Sequence, residues 1–309
     1  MNKFRLIAFI VFTAFIAGNF VSCSSSRSAK TERNAYVPLE NALLWKISGN
    51  GLKKPSYLFG TIHIIGAEDF FLPKGVLAAM ESADKIYFEI DVKDMTDVSA
   101  MMGMMNKIFM KEGKSLKDLL SEEDYTLVGD HFQKIGIPMF MLERMKPMFL
   151  TVFANGDLDP TGLQSGSVKS YEMELYEIAK NAGKSTAGLE SVDYQINLFD
   201  KIPYEAQAKM LVESIRTSNV NDDSFKKMTQ LYVSQNIEQM VNMISDEGSE
   251  ISGFEDELLN QRNKNWIPII KEAASLQPSF FAVGAGHLAG SEGVIHLLRQ
   301  QGYSVSPMK

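Results

Sequence analysis

Two short apolar runs near opposite ends of the chain each finish in Gly-x-x-His. The first is Tyr57–His63 (Tyr-Leu-Phe-Gly-Thr-Ile-His). The second, more than two hundred residues later, is Phe280–His287 (Phe-Phe-Ala-Val-Gly-Ala-Gly-His). Short continuous apolar runs bounded by turn residues read as strands buried on both faces. If both lie in one sheet, the core is assembled from the two ends of the chain. The residues between them then enter as insertions.

The rest of the pattern agrees with that arrangement. Leu43–Ser48 and Ser56–Ile62 flank Gly49-Asn50-Gly51, which predicts a hairpin. A helix follows from Pro73-Lys74-Gly75 to about Ser82, and then a strand at Lys85–Ile90. Strand, helix and strand in that order predict a parallel pair. Residues of about 95–155 read as several helices, and about 191–275 read as helical again. Between them lie a helix at Ser170–Asn181 and a short strand at Lys184–Leu189. Pro278 introduces the strand Ser279–Val283, and a last helix, Ser291–Gln301, leads into Tyr303–Ser306. The expected fold is α/β: a mainly parallel central sheet within one domain, residues 41–309, carrying two large helical insertions.

The first residues point outside the cytoplasm. Lys3 and Arg5 precede the apolar run Leu6–Ile16, a basic and then hydrophobic signal too short to span a bilayer comfortably. The only cysteine, Cys23, stands just after Phe20-Val21-Ser22. That is where a lipoprotein leader would be cut and a lipid attached. Residues 1–22 therefore read as a lipoprotein signal peptide and 23–40 as a polar tether. The expected location is a bacterial membrane, the outer membrane or cell surface, reached through the lipid on Cys23. A formal charge of −7 offers no basic surface for nucleic acid.

Several motifs fail on their own terms. Gly113-Lys114-Ser115 and Gly183-Lys184-Ser185 lack the upstream glycine of a P-loop, with Ile108 and Ile178 in its place. There is no Gly-x-Ser-x-Gly elbow and no His-Glu-x-x-His. Gly284-x-Gly286-x-x-Ala289 matches a relaxed dinucleotide fingerprint, but the chain ends too soon for the strand and acid that fingerprint needs.

Of the four histidines, His131 and His296 fall in helical stretches and read as ordinary helix residues. His63 and His287 differ, because each follows a strand through a glycine. The plain reading of each is a histidine satisfying backbone at a strand end, with Gly60 and Gly284 there for a positive φ. The sharper reading rests on shared position. In open parallel sheets, ligands bind beyond the carboxyl ends of the strands. His63, Glu89, Glu190 and His287 each fall at such an end. Two imidazoles and Glu89 would make a three-ligand site for a divalent metal such as Mn, Co or Zn. Glu89 or Glu190 would be the catalytic carboxylate. A capping role competes for Glu190, which precedes Ser191-Val192-Asp193. Asp91 and Lys146 are weaker candidates.

Taken together, these blocks resemble the TraB/PrgY/GumN family, which includes the TIKI proteases. The resemblance is carried by Leu-Trp-Lys-Ile at Leu44, Tyr-Leu-Phe-Gly-Thr-Ile-His at Tyr57, Phe-Glu-Ile-Asp at Phe88 and Lys146-Pro147. It continues through Gly-Leu-Glu-Ser-Val-Asp-Tyr-Gln at Gly188 and Val-Gly-Ala-Gly-His-Leu-Ala-Gly-Ser-Glu-Gly-Val at Val283. It implies a fold related to erythromycin-esterase and haem-binding ChaN-like proteins. It also implies a metal-dependent hydrolase or protease acting on peptides or small molecules, with Gly60, His63, Gly284, His287 and Glu89 in its site. One departure is local: where the family often has Gly-x-Asp, this chain reads Ser-Tyr-Glu at Ser170, with Glu172 in the acidic position. The competing expectation is a surface lipoprotein that binds a peptide or ligand without cutting it, with the Met-rich Met95–Met110 segment as an adaptable groove. A haem or metal carrier is the third.

Overall fold

The computed structural model of the chain describes residues 36–93, 107–154, 166–217, 223–245 and 253–309. The expected signal peptide, Cys23 and most of the expected tether lie outside the described residues, as does Met95–Met110 as far as Asn106. Among the described residues, no helix is long and apolar enough to cross a membrane.

The protein is α/β. Its main sheet contains six strands: β1 (Leu44–Ser48), β2 (Ser56–Thr61), β4 (Lys85–Phe88), β6 (Ser185–Gly188), β7 (Ser279–Gly284) and β8 (Ser304–Pro307). Their order across the sheet is β6-β4-β7-β2-β1-β8. The first four of these are mutually parallel; β1 runs antiparallel to both β2 and β8. Two-residue strands β3 (Ile65–Gly66) and β5 (Val168–Lys169), not expected from the sequence, pair antiparallel beside it.

The sequence patterns account for these positions. The run Phe280–Val283 is wholly buried, as a central parallel strand must be. The β1–β2 hairpin turns where predicted, because Gly49, Asn50 and Gly51 all hold positive φ (77°, 47° and 83°). One expectation needs correction. β2 and β4 are parallel but not neighbours, because β7 from the far end of the chain lies between them. A local strand-helix-strand pattern shows direction but not what enters between the strands. Such insertion depends on pairing across two hundred residues.

Both expected insertions are helical in their described parts. Helices Leu116–Leu119, Glu122–Lys134 and Pro147–Ala154 pack with Tyr204–Thr217 around their own core, including Leu116, Val128, Phe132, Leu150 and Leu211. Lys146 belongs to this part. It is buried, and its Nζ lies 2.5 Å from Asp200 Oδ1, with Lys111 on the other oxygen at 2.8 Å. It therefore ties helices together. Asp91 likewise accepts from Thr186 Oγ1 at 2.9 Å, which fastens the segment after β4 to β6.

Candidate active site

Because β6, β4, β7 and β2 run in one direction, their carboxyl ends lie along one rim of the sheet. The registers Thr61↔Gly284 and Phe88↔Gly188 show how closely the ends are matched. Glu89 directly follows β4 and Glu190 follows β6 after one intervening residue, and the two remain hydrogen-bonded, with Glu190 N donating to Glu89 O at 2.9 Å. After β7 the chain makes a single 3₁₀ turn, Ala285–His287, which brings the His287 ring back over the strand ends.

The motif glycines work differently from the positive-φ expectation. Gly284 sits at φ −51°, ψ 135°, and Gly60 is not among the left-handed residues. Their role is close approach. A methyl on Gly60 would fall 2.7 Å from Leu288 Cδ1 and 3.1 Å from Ala285 Cβ, in and next to the turn that carries His287. A methyl on Gly284 would fall 3.2 Å from Glu89 Oε1, which already accepts the Gly284 N–H at 2.7 Å. The glycine of the first motif thus makes room for the histidine of the second. Gly60→Ala is expected to cost about 1–3 kcal/mol through overpacking, read as a lower denaturant midpoint with an unchanged slope.

The structure adds a residue that sequence reasoning missed. Arg262, near the start of the helix Gln261–Leu276, enters the middle of the cluster. Its Nε donates to Glu190 Oε1 at 2.9 Å, and Nη2 bonds the same oxygen at 2.6 Å and also Glu89 Oε2. Nη1 donates to Leu258 O at 3.1 Å and lies 3.1 Å from His287 Nε2. A guanidinium has five N–H donors, and these contacts use them all. Its neighbours on the same helix join in. Asn263 Oδ1 is 2.7 Å from His287 Nδ1, and Trp266 Nε1 donates to Glu190 Oε2 at 3.0 Å. Asn263 Nδ2 donates to Glu292 O at 2.9 Å, so Oδ1 must be the atom facing the imidazole. The proton of His287 is therefore on Nδ1, and Nε2 carries the lone pair that accepts from Arg262. In the sequence, the available signal was Arg-Asn-x-x-Trp, three polar or aromatic groups on one side of an otherwise ordinary amphipathic helix.

These contacts set the charges. Burial opposes ionisation of Glu89, but Arg262, His287, His63 and the Gly284 N–H outweigh it and hold the carboxyl well below the usual carboxylate range. Burial, reinforced by the charge of Arg262, lowers His287 to about 3 against the pull of Glu89. The neutral imidazole and ionised carboxylate come within 3.7 Å of each other. Two carboxylates, one guanidinium and a neutral histidine leave one negative charge in excess.

His63 reaches the same rim from β2 but stands at the solvent side, with 62% of its side chain exposed. When protonated it would favour the ionised form of Glu89 and the neutral form of His287. Its Nδ1 lies 3.4 Å from Glu172 Oε1, an oxygen that also accepts from Thr61 Oγ1 at 2.7 Å. Glu172, singled out for departing from the family pattern, thus stands beside the first motif histidine. Glu190 is buried and takes no part in capping. Ser191 caps the helix Val192–Phe199 with its own hydroxyl. His131 and His296 lie in the helices Glu122–Lys134 and Val294–Gln300, as expected.

The residue types here suit a divalent cation, but their present arrangement does not. The lone pair on His287 Nε2 and one oxygen of Glu89 are both engaged by Arg262. Among the described residues, no three His, Cys, Asp or Glu side chains stand where they could share an ion. The Arg262 guanidinium lies against both His287 and Glu89.

Comparison with known proteins fits the sequence blocks. Residues 43–307 match the TraB/PrgY/gumN family. Among curated proteins, "Metalloprotease TIKI1" of Xenopus tropicalis is 25% identical over 91% of this chain and 64% of its own length. The Homo sapiens "Metalloprotease TIKI1" is 24% identical over 86% of this chain and 61% of its own length. An uncharacterized protein of Treponema pallidum is 23% identical, covering 91% of this chain and 87% of that protein. The chain spans less than two thirds of the length of these TIKI relatives. No solved structure matches it.

Proposed function

This chain belongs to the TraB/PrgY/gumN family, and from that premise we propose that it is a hydrolase of peptide bonds whose active site is the rim holding His63, Glu89, Glu190 and His287. The observation that carries this reading is the meeting of three side chains from adjacent parallel strands, Glu190, Glu89 and His287, with His63 on the fourth. Such a rim is where open α/β sheets bind ligands. The relatives named metalloproteases support a divalent cofactor; Mn, Co or Zn would be held by His63, His287 and Glu89 only once Arg262 had left the last two.

In the arrangement described, the residues have separable tasks. Glu190 holds Arg262, Asn263 fixes the His287 tautomer, and Gly284 fixes one oxygen of Glu89. His63, with Glu172 on its Nδ1 side, is the group a peptide arriving from solvent meets first. The proposal extends to location: an exported protein anchored through a lipid on Cys23, working on peptides outside the cytoplasm.

The test is direct. Full-length chain in detergent is incubated with a mixed peptide library and Mn, Co or Zn, and the products are read by mass spectrometry. Cleavage is expected, reduced by about two orders of magnitude or more in His63→Ala and in His287→Ala. Peptides retained intact under every metal would instead identify a binding lipoprotein.

A further inference from the structure

Arg262 has two sets of partners. On one side, Nε and Nη2 hold Glu190 and Nη1 holds the Leu258 carbonyl; on the other, Nη2 holds Glu89 and Nη1 holds His287. The second pair consists of the two buried groups assigned above to the metal. We propose that Arg262 is a resident cation that keeps the site in a metal-free arrangement, and that a divalent ion enters only when Arg262 releases Glu89 and His287. This rests on the reading that metal binds at this rim.

Three observations support exchange rather than coexistence. First, His287 Nε2 has one lone pair, and Nη1 stands 3.1 Å from it, so the imidazole serves either Arg262 or a metal. Second, a guanidinium and a divalent ion repel, and in a buried site little solvent screens them. Third, Arg262 keeps an anchor after letting go. Glu190 holds it through two nitrogens and takes a further bond from Trp266 Nε1, while the Arg262 Cζ lies 4.9 Å from the Trp266 ring centre. The segment before it is a π-helical turn, Asp256–Asn260, and Leu258 O lies within that turn. Such turns mark places where a helix departs from its regular ladder, frequently at functional sites.

The consequence is a built-in penalty on metal affinity. Only the fraction of molecules with Arg262 withdrawn can bind, and the apparent dissociation constant rises by the inverse of that fraction. Removing the guanidinium lifts the penalty.

Calorimetric titration with Zn(II) and Mn(II) tests this in the full chain, in Arg262→Gln and in the His63→Ala, His287→Ala double variant. The glutamine variant is expected to bind metal about tenfold or more tightly than the parent. Metal should also raise its melting temperature more than it raises the parent's. Equal or weaker binding by Arg262→Gln overturns the proposal. A second measurement does not depend on how that variant folds. In the parent chain carrying ¹⁵N-histidine, metal should move the His287 Nε2 resonance to a metal-bound position. Metal bound with that resonance unchanged also overturns it. If the double variant binds as well as the parent, the metal reading of the site has failed instead, and the two failures are told apart.

Discussion

Replacing Glu190 by alanine is expected to destabilise the protein by about 3–5 kcal/mol, the range for removing one partner of a buried ion pair. Four donors converge on this carboxylate: Arg262 Nε and Nη2, Gln195 Nε2 and Trp266 Nε1. Only 5% of its side chain is exposed, so water cannot replace it. Its loss leaves a buried guanidinium with Glu89 as its only carboxylate, and an indole N–H without an acceptor. Glu177→Ala is the matched control. It removes an exposed partner of Lys180 one helical turn away and is expected to change stability by no more than about 0.5 kcal/mol. Urea denaturation of both variants decides the matter. Equal midpoints would mean that the cluster does not support the fold.

Acid should unfold this protein from a higher pH than carboxylate protonation alone predicts. His287 titrates near 6.5 in an unfolded chain and near 3 in the folded one. Between those values the unfolded state binds more protons, so stability rises with pH through the window and falls as acid is added. The full window is worth on the order of 5 kcal/mol for this one buried ring. Glu89 acts in the same direction further down. Its folded pKa is depressed, so its contribution is present above its ordinary value of 4.5 and is lost as pH falls below it. The urea midpoint should therefore decline already between pH 6.5 and 4.5 in the parent, and the decline should vanish in His287→Gln. Parallel profiles for the two proteins would remove His287 as the cause.

Much of this site can be read from the residues, for a physical reason. Strand ends are marked locally by apolar runs stopping at glycine or acid, so His63, Glu89, Glu190 and His287 could be placed on one rim without coordinates. Three things could not. The position of β7 between β2 and β4 comes from long-range pairing, and no local pattern encodes it. The duty of Gly60 depends on Ala285 and Leu288, which reach it only in the folded state. Arg262 occupies an unremarkable helical position and becomes central because its helix crosses the strand ends. An ion pair within a site leaves little trace in sequence spacing, whereas a strand that delivers a ligand leaves a clear one.

The place of β7 has a consequence for when the site comes into being. A chain emerging from its amino end presents β2 and β4 early, yet the strand that separates them arrives only at Ser279–Gly284. β8, which closes the far edge on β1, comes later still, at Ser304–Pro307. Until β7 and the turn after it are made, the rim lacks His287, and β2 and β4 lack the strand that lies between them. Folding of the sheet thus waits on pairing between residues as far apart in the chain as Tyr57 and Phe280, a topology of long-range contacts that forms slowly. The nascent chain therefore has no assembled rim until Ser279–His287 has been made, so the candidate site forms well after the strands that begin it.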